Sequence, residues 1–269
     1  LPCPVCGSHC APLDVVDFNK SCAESWGTHL PLSGISIYYY LCSECGYCYA
    51  PEFLHWRPED FRARIYNEDY IRVDPDYVEK RPSINATGLA STFGHAAASI
   101  RHLDYGSGSG ALSALLRQAG WQSTAYDPYA NPDSAPDAAG RFDLITAYEI
   151  FEHVADVNRL MADITNLLAE DGVLIVSTLL SDGFIAPQQR ITWWYAAPRN
   201  GHISSVLQTE PGHPGRQIRL HARRVFRRPA CDVEDRPALG RQLHPGRLRR
   251  RSPATGRSVT PAPICPLSA

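Results

Sequence analysis

A glycine-rich turn between a strand pattern and a helix pattern constrains the fold of this chain more than any other feature. Residues 99–103 predict a strand, residues 104–110 have the sequence DYGSGSG, and residues 111–119 predict a helix. Glycine lets a backbone turn tightly and approach a ligand without a clash from Cβ. A strand, a glycine-rich turn and a helix in this order open the doubly wound sheets that bind nucleotides. The sequence therefore predicts an α/β fold with a nucleotide site at this turn.

The glycines alone do not distinguish between two nucleotide cofactors, because Gly106, Gly108 and Ala111 also fit the fingerprint of dinucleotide sites. Asp104, two residues before the first glycine, would place a carboxylate against the ligand. A carboxylate there suits the ammonium group of a methionine moiety and repels a pyrophosphate. Residues 121–126 predict a second strand that ends at Asp127, whose carboxylate can accept both hydroxyls of an adenosine ribose, a contact that NAD also needs. The pattern favours S-adenosylmethionine (SAM) over NAD.

Two further strands and a helix are predicted after this site. Residues 141–148 predict a third strand, and apolar residues at helical spacing from Val157 to Leu168 predict an amphipathic helix that Gly172 ends. Residues 173–180 are almost continuously apolar, as expected for a parallel strand covered on both faces.

Four segments together resemble the class I SAM-dependent methyltransferases: LDYGSGSG (103–110), AYDP (125–128), RFDLITAYEIFEHV (141–154) and LLAEDGVLIVSTLL (167–180). The chain is most similar to bacterial members that carry an N-terminal zinc ribbon, some of which methylate sugars or polysaccharide precursors. The resemblance covers residues 1–207 and implies a Rossmann-like doubly wound sheet. The residues expected to contact SAM are Asp104, Gly106, Gly108, Gly110, Asp127 and Tyr70.

The N-terminal region contains two C-x-x-C-Gly units, with 35 residues between Cys6 of the first and Cys42 of the second. Cys3, Cys6, Cys42 and Cys45 would supply the four thiolates of a closed, tetrahedral, structural Zn²⁺ site. The alternative, a pair of disulfides, requires a secreted protein, and nothing else in the sequence indicates one. Among the other cysteines, Cys48 could replace one of the four ligands, although a buried apolar role is favoured.

The chain divides into four predicted regions. Residues 1–55 form the zinc ribbon, residues 56–98 a helical connector rich in aromatic residues, residues 99–207 the SAM-binding domain, and residues 208–269 a tail. Pro58, Pro75 and Pro82 break the connector into short helices. The connector is either simply a packed lid or linker, or a segment from which Tyr66 or Tyr70 edges the active site.

The sheet is predicted to be incomplete at its C-terminal end. Residues 1–207 carry a net charge of −11, whereas residues 208–269 carry 13 Arg, nine Pro and only four acidic residues. That tail shows no period of a helix or a strand, so we expect it to be disordered or translated out of frame; a solvated linker and a basic arm that contacts nucleic acid are the alternatives. The segment between Asp127 and Phe142 contains three prolines and is too short for a full strand and helix.

Methyl transfer from a sulfonium requires an aligned acceptor and a base that removes its proton. His153, after the third strand, and His202, in an aromatic loop at residues 191–204, are the candidate bases. Glu149 and Glu152 are alternatives, as a base or as a clamp on the substrate. The aromatic loop is expected at the carboxyl end of the sheet, either as a wall of the acceptor site or as an aromatic plug.

The predicted function is SAM-dependent methylation of a small molecule or of a sugar or polysaccharide precursor. An RNA- or protein-modifying methyltransferase and an inactive zinc-binding remnant are the alternatives, and nucleic acid is the less favoured partner. No apolar run of 18 residues and no signal-peptide pattern occurs, so a cytoplasmic protein without a membrane partner is expected.

Overall fold

The computed structural model describes residues 1–129, 136, 140–154 and 156–206. The predictions for the arginine-rich tail, residues 208–269, lie outside the described residues.

A four-stranded parallel sheet forms the centre of the nucleotide-binding half. Its strands are β4 (Arg101–Tyr105), β5 (Gln122–Tyr126), β6 (Phe142–Tyr148) and β7 (Leu168–Ser177). They lie in the order β5-β4-β6-β7, and each neighbouring pair is parallel. The three strands predicted before and after the glycine-rich turn are therefore confirmed, with ends shifted by no more than two residues.

Helices cover both faces of this sheet. Leu144 and Ile145 are neighbours on β6, so their side chains point to opposite faces. Leu144 packs in one apolar cluster with residues of α3 (Lys80–Phe93) and α4 (Ala111–Gln118), whereas Ile145 packs in another with residues of α5 (Val157–Leu167). The predicted Rossmann-like, doubly wound α/β fold is confirmed.

The end of α5 differs from the prediction. The helix ends at Leu167, and Gly172 lies inside β7 rather than at the end of the helix. The pairing of β6 with β7 shifts register at this place, and a Cβ on Gly172 would come within 2.9 Å of the Phe142 carbonyl oxygen. The glycine therefore permits close approach of two backbones in a strand, a requirement that helical periodicity does not reveal.

A second, antiparallel sheet forms the N-terminal body. It contains β1 (Cys10–Asp17), β2 (Ser36–Cys42), β3 (Cys48–Tyr49) and, from the far end of the described chain, β8 (Ser204–Ser205). Most of β2 consists of β-branched and aromatic residues, which favour strands. Because β8 pairs with β3, the chain returns to the N-terminal sheet after β7.

Prolines lie in the first turn of three helical segments of the connector. Pro58 begins α1 (Pro58–Arg64), and Pro75 begins a 3₁₀ turn that follows α2 (Tyr70–Val73). Pro82 is the third residue of α3, where the missing N–H has no helical acceptor to bond. Within the described ranges, no strand occurs between β5 and β6, and none follows β7 in the parallel sheet.

No helix in the part of the chain that the structure describes is both long and apolar enough to span a membrane.

Candidate active site

A cavity of about 930 Å³ opens at the carboxyl ends of the parallel strands. The chain reverses its winding between β4 and β6, and ligands of doubly wound sheets bind at such a switch point. The cavity brings together most of the residues predicted for the site: Tyr66, Tyr70, Asp104, Gly106, Gly108, Asp127, Glu149 and His153. Gly110 and His202 are not among the residues that line it.

The glycine-rich turn is tied to the neighbouring strand. The N–H groups of Gly106 and Ser107 donate to the Tyr126 carbonyl oxygen, at 2.8 and 3.1 Å. Gly106 has a φ of 72°, and a Cβ built on it would lie 2.1 Å from Cδ1 of Ile150. The positive φ favours glycine, and any side chain at this position would also force Ile150 to move. Gly110, at φ 76°, precedes the first residue of α4 and so connects the turn to its helix.

Asp127 is anchored by the backbone on both sides of the cavity entrance. Its Oδ2 accepts from the Gly108 N–H at 2.9 Å, and its Oδ1 accepts from the Tyr129 N–H at 2.8 Å. Each carboxylate oxygen has further lone pairs, so both can still accept from hydroxyls of a ligand. The carboxylate is thus held at the end of β5 and linked to the glycine-rich turn.

Asp104 is the buried acid of the site. Its side chain is only 4% exposed, and the Thr146 hydroxyl donates to its Oδ1 at 3.4 Å. Burial, together with the nearby charge of Asp127, raises the pKa of Asp104 to about 7. A cationic group of a ligand beside Asp104 would therefore meet an acid that changes its charge near neutral pH.

Glu149 has a strained backbone and a fixed side chain. Its φ of 52° is rare for a residue with a side chain, and such strain concentrates at functional sites. The Ser177 hydroxyl donates to its Oε1 and the Tyr195 hydroxyl to its Oε2, both at 2.9 Å. The Tyr195 hydroxyl oxygen also lies within hydrogen-bond distance of a Glu152 carboxylate oxygen, and burial together with that neighbouring carboxylate raises the pKa of Glu149.

Sequence reasoning missed the two residues that hold Glu149. Ser177 and Tyr195 lie 28 and 46 residues away along the chain. Ser177 ends the strand next to β6, so the rule that carboxyl ends of parallel strands meet could have indicated it. The sequence around Tyr195 gives no indication that its hydroxyl contacts a glutamate.

His153 lines the cavity with one ring nitrogen fixed by the backbone. Its Nδ1 lies 3.0 Å from the Gly201 carbonyl oxygen and 3.0 Å from the Tyr66 hydroxyl. Because a carbonyl only accepts, Nδ1 carries the proton and Nε2 of the neutral ring keeps a lone pair. Burial lowers the pKa of His153 to about 4, so the ring is neutral at pH 7.

His202 lies behind His153 and does not line the cavity. Its Nδ1 donates to the Tyr195 carbonyl oxygen at 2.9 Å, and its ring centroid is 4.8 Å from that of His153. Burial moves the pKa of His202 well below its usual range. Glu152 is buried beside these rings, and its Oε2 has no hydrogen-bond partner.

The aromatic loop packs against the N-terminal body instead of walling the cavity. Trp193 and Tyr195 are buried in one apolar cluster with residues of β2 and α1. Lys20 donates to the Trp193 and Ala196 carbonyl oxygens, each at 2.9 Å, and Tyr39 donates to the His202 carbonyl oxygen at 2.8 Å. These contacts match a packed role, but the loop packs on the N-terminal body, whereas the plug was expected on the parallel sheet.

Two tyrosines of the connector edge the cavity. Tyr66 contacts His153, and the hydroxyl of Tyr70 donates to the Asn200 carbonyl oxygen at 3.2 Å. A Cβ on Gly201 would come within 2.7 Å of the Tyr66 hydroxyl, so this close approach requires glycine. The connector is thus attached to the segment that carries His202.

The four predicted zinc ligands lie together in the N-terminal body. Sγ of Cys3 is 3.6 Å from Sγ of Cys45, and Sγ of Cys6 is 3.5 Å from Sγ of Cys42. All four sulfurs lie within 4.8 Å of one another. A tetrahedron with Zn–S distances of about 2.3 Å has sulfurs about 3.8 Å apart, so the group fits a zinc ion. Cys48 is not part of the group.

The sheet topology, the glycine-rich turn and the acidic residues at the ends of β4 and β5 define the class I SAM-dependent methyltransferases, and the chain belongs to this class. Residues 77–210 match the model of a methyltransferase domain family. The chain is 33% identical over 119 residues to a ubiquinone biosynthesis O-methyltransferase of Azorhizobium caulinodans, covering 34% of this chain and 47% of that protein. It is 26% identical over 147 residues to a protein of the same name from Rhodopseudomonas palustris, covering 46% and 56%. The chain spans about half the length of the curated relatives it matches.

Proposed function

We propose that this chain is an active SAM-dependent methyltransferase that acts on an oxygen of a small molecule or of a sugar or polysaccharide precursor. The observation that carries the proposal is the cavity. Asp104 and Asp127, the acids proposed to bind the cofactor, line it together with His153 and Glu149. The matched relatives are named as O-methyltransferases of ubiquinone biosynthesis, which supports a small-molecule hydroxyl as the acceptor.

The cofactor half of the site is assigned to β4 and β5. Asp127 would accept the two ribose hydroxyls, and Asp104 would receive the ammonium group of the methionine moiety. Gly106, Gly108 and Gly110 carry no side chains, so a ligand can approach the backbone of the turn closely. Tyr70 would close the cavity from the connector side. When bound, SAM supplies the electrophilic methyl group.

His153 is proposed as the base. Its Nδ1 proton is held by the Gly201 carbonyl, so Nε2 can receive the proton of an acceptor hydroxyl. Glu149, fixed by Ser177 and Tyr195, would accept a hydrogen bond from the acceptor and stabilise the imidazolium that forms. His202 is proposed to support the ring of His153 from behind, because it is buried and does not line the cavity.

The N-terminal body is proposed to hold one structural Zn²⁺ through Cys3, Cys6, Cys42 and Cys45. Four thiolates leave no open position, so the ion would not take part in the chemistry. Its role would be to stabilise the N-terminal body, whose residues Lys20 and Tyr39 hold the loop from Trp193 to His202.

Asp127→Ala is expected to weaken SAM binding by about 1–3 kcal/mol, because it removes hydrogen bonds to a charged acceptor. Calorimetric titration of the full chain measures this change. Asp171→Ala is the matched control, since Asp171 is an exposed carboxylate on β7 away from the cavity, and it should bind SAM as the unchanged chain does. Equal affinities for the Asp127→Ala variant and the unchanged chain would remove Asp127 from the cofactor site.

The affinity for SAM is expected to depend on pH through Asp104. Its pKa of about 7 in the ligand-free protein means that acid protonates it, and a protonated acid cannot pair with an ammonium group. The dissociation constant should therefore rise by up to about tenfold for each pH unit below 7. Titrations between pH 5.5 and 7 test this, and Asp104→Asn should bind weakly without that slope. A flat profile for the unchanged chain would contradict the assignment.

Turnover tests the proposed activity as a whole. The full chain is incubated with SAM and with phenolic or sugar hydroxyl acceptors, and release of S-adenosylhomocysteine is measured. Acceptor-dependent release is the expected result. Release only with RNA or protein acceptors would replace the small-molecule proposal, and no release despite tight SAM binding would favour an inactive remnant.

A further inference from the structure

A line of buried polar side chains crosses the parallel sheet and ends on Asp104. His102 and Thr146 are each 0% exposed, in strands whose other buried side chains are mostly apolar. Ser123 and Ser113, on β5 and α4, continue the line and are also buried. None of these four residues lines the cavity, and none has a part in the proposed methyl transfer.

The line is continuous. Nε2 of His102 lies 3.0 Å from the Thr146 hydroxyl oxygen, and the Thr146 hydroxyl donates to Oδ1 of Asp104 at 3.4 Å. On the other side of the ring, Nδ1 of His102 lies 2.8 Å from the Ser123 hydroxyl oxygen. The Ser123 oxygen is 2.9 Å from that of Ser113.

Sheet register explains why these residues meet. His102 and Asp104 are two residues apart on β4, so their side chains share one face. Asp104 pairs with Thr146 of β6, and His102 pairs with Ser123 of β5. Three neighbouring strands therefore each contribute a polar side chain to the same face.

The ionised acid gives the line a direction. A carboxylate only accepts, so Thr146 must donate to Asp104 and must itself accept from His102. The His102 ring then carries its proton on Nε2, the nitrogen that faces Thr146. Burial lowers the pKa of His102 to about 4, so the ring is neutral and has one donor and one acceptor, as the line requires.

Satisfying buried polar groups would also account for hydrogen bonds of this kind in any core. Apolar side chains on this face would stabilise the fold more, however, because buried polar side chains contribute little net free energy even when they are hydrogen-bonded. The line ends on the one acid assigned to the cofactor's amino group, and it occupies one of that acid's two oxygens.

We propose that Thr146 and His102 are positioning residues for cofactor binding: they orient Asp104 and stabilise its ionised form, so that its other oxygen receives the ammonium group of SAM. The inference rests on the proposed function, because it assigns SAM to the cavity. Through Asp104, these two residues would make the site selective for adenosine ligands that also carry an amino group.

The test compares two ligands of the full chain. SAM carries the amino-acid moiety, whereas 5′-methylthioadenosine lacks it and keeps the adenosine. Thr146→Val preserves shape but removes the hydroxyl, and it should weaken SAM binding by roughly 10- to 100-fold, the range for a hydrogen bond to a charged group. Binding of 5′-methylthioadenosine should change less than about threefold, and Thr146→Ser, which keeps the hydroxyl, should restore the affinity for SAM.

Every outcome is informative. Equal losses for both ligands would mean that the line only supports packing, and an unchanged SAM affinity in Thr146→Val would also overturn the inference. If Thr146→Val does not fold, as judged by its thermal unfolding, Thr146→Ala removes the same hydroxyl and takes its place. Failure of the unchanged chain to bind either ligand would instead refute the proposed function.

Discussion

His153→Ala is expected to lower the turnover number by roughly 10²- to 10⁴-fold, the usual contribution of a positioned general base. The Nδ1 proton of His153 is held by the Gly201 carbonyl, and Nε2 is left to accept the proton of the acceptor. The affinity for SAM should change little, because the ring lies with Glu149 on the acceptor side of the cavity. Steady-state turnover and calorimetry on the same variant separate the two effects.

The controls for this prediction come from two other histidines. His95→Ala changes an exposed histidine in the 3₁₀ turn after α3 and should leave turnover unchanged. His202→Ala removes the ring behind His153 and should lower turnover by a smaller factor, together with thermal stability. Full turnover in His153→Ala would exclude His153 as the base and leave Glu149 as the alternative.

Loss of one zinc thiolate is expected to unfold the N-terminal body. Apparent zinc-binding free energies of structural sites reach about 10–16 kcal/mol, and that energy is folding energy in small metal-bound units. Cys45→Ala should therefore abolish the stoichiometric zinc and lower the melting temperature sharply. Cys48→Ala is the matched control: Cys48 is buried in β3 outside the group of four, so its loss should cost far less and leave the zinc in place.

Cys45→Ala should also disturb the active site, because the N-terminal body holds residues next to it. The Cys22 N–H donates to the Asn200 side chain at 2.8 Å, and Tyr39 donates to the His202 carbonyl. Unfolding of that body would release the segment that carries Gly201 and thereby free the ring of His153. Metal analysis that finds no zinc in protein purified without a chelator would contradict the zinc proposal.

Features carried by short sequence patterns were predicted correctly. The glycine-rich turn and the strand over residues 141–148 could be found from sequence, because tight turns need glycine and buried parallel strands need apolar runs. The two C-x-x-C-Gly units likewise identified four cysteines whose sulfurs lie within 4.8 Å of one another.

Features that depend on contacts between distant segments could not be predicted. Glu149 was a candidate from its position after a strand, but its fixed orientation comes from Ser177 and Tyr195. Gly172 was assigned to the end of a helix, because a glycine after a helical period usually has that role. Its actual role depends on the Phe142 carbonyl, which only the register of β6 and β7 brings close.

The place of the aromatic loop is the clearest example. Its tryptophans, Arg199 and His202 follow the last predicted strand, so local reasoning assigned the loop to the carboxyl end of the sheet. The pairing of β8 with β3 instead attaches the end of this segment to the N-terminal body. A contact between residues about 156 positions apart leaves no periodic signal in either segment.

Calorimetric titration of the full chain with SAM and with NAD tests the central claim most directly. We expect the chain to bind one SAM, and NAD to bind far more weakly because Asp104 repels a pyrophosphate. Absence of SAM binding, or tighter binding of NAD than of SAM, would contradict the assignment of the cavity to SAM.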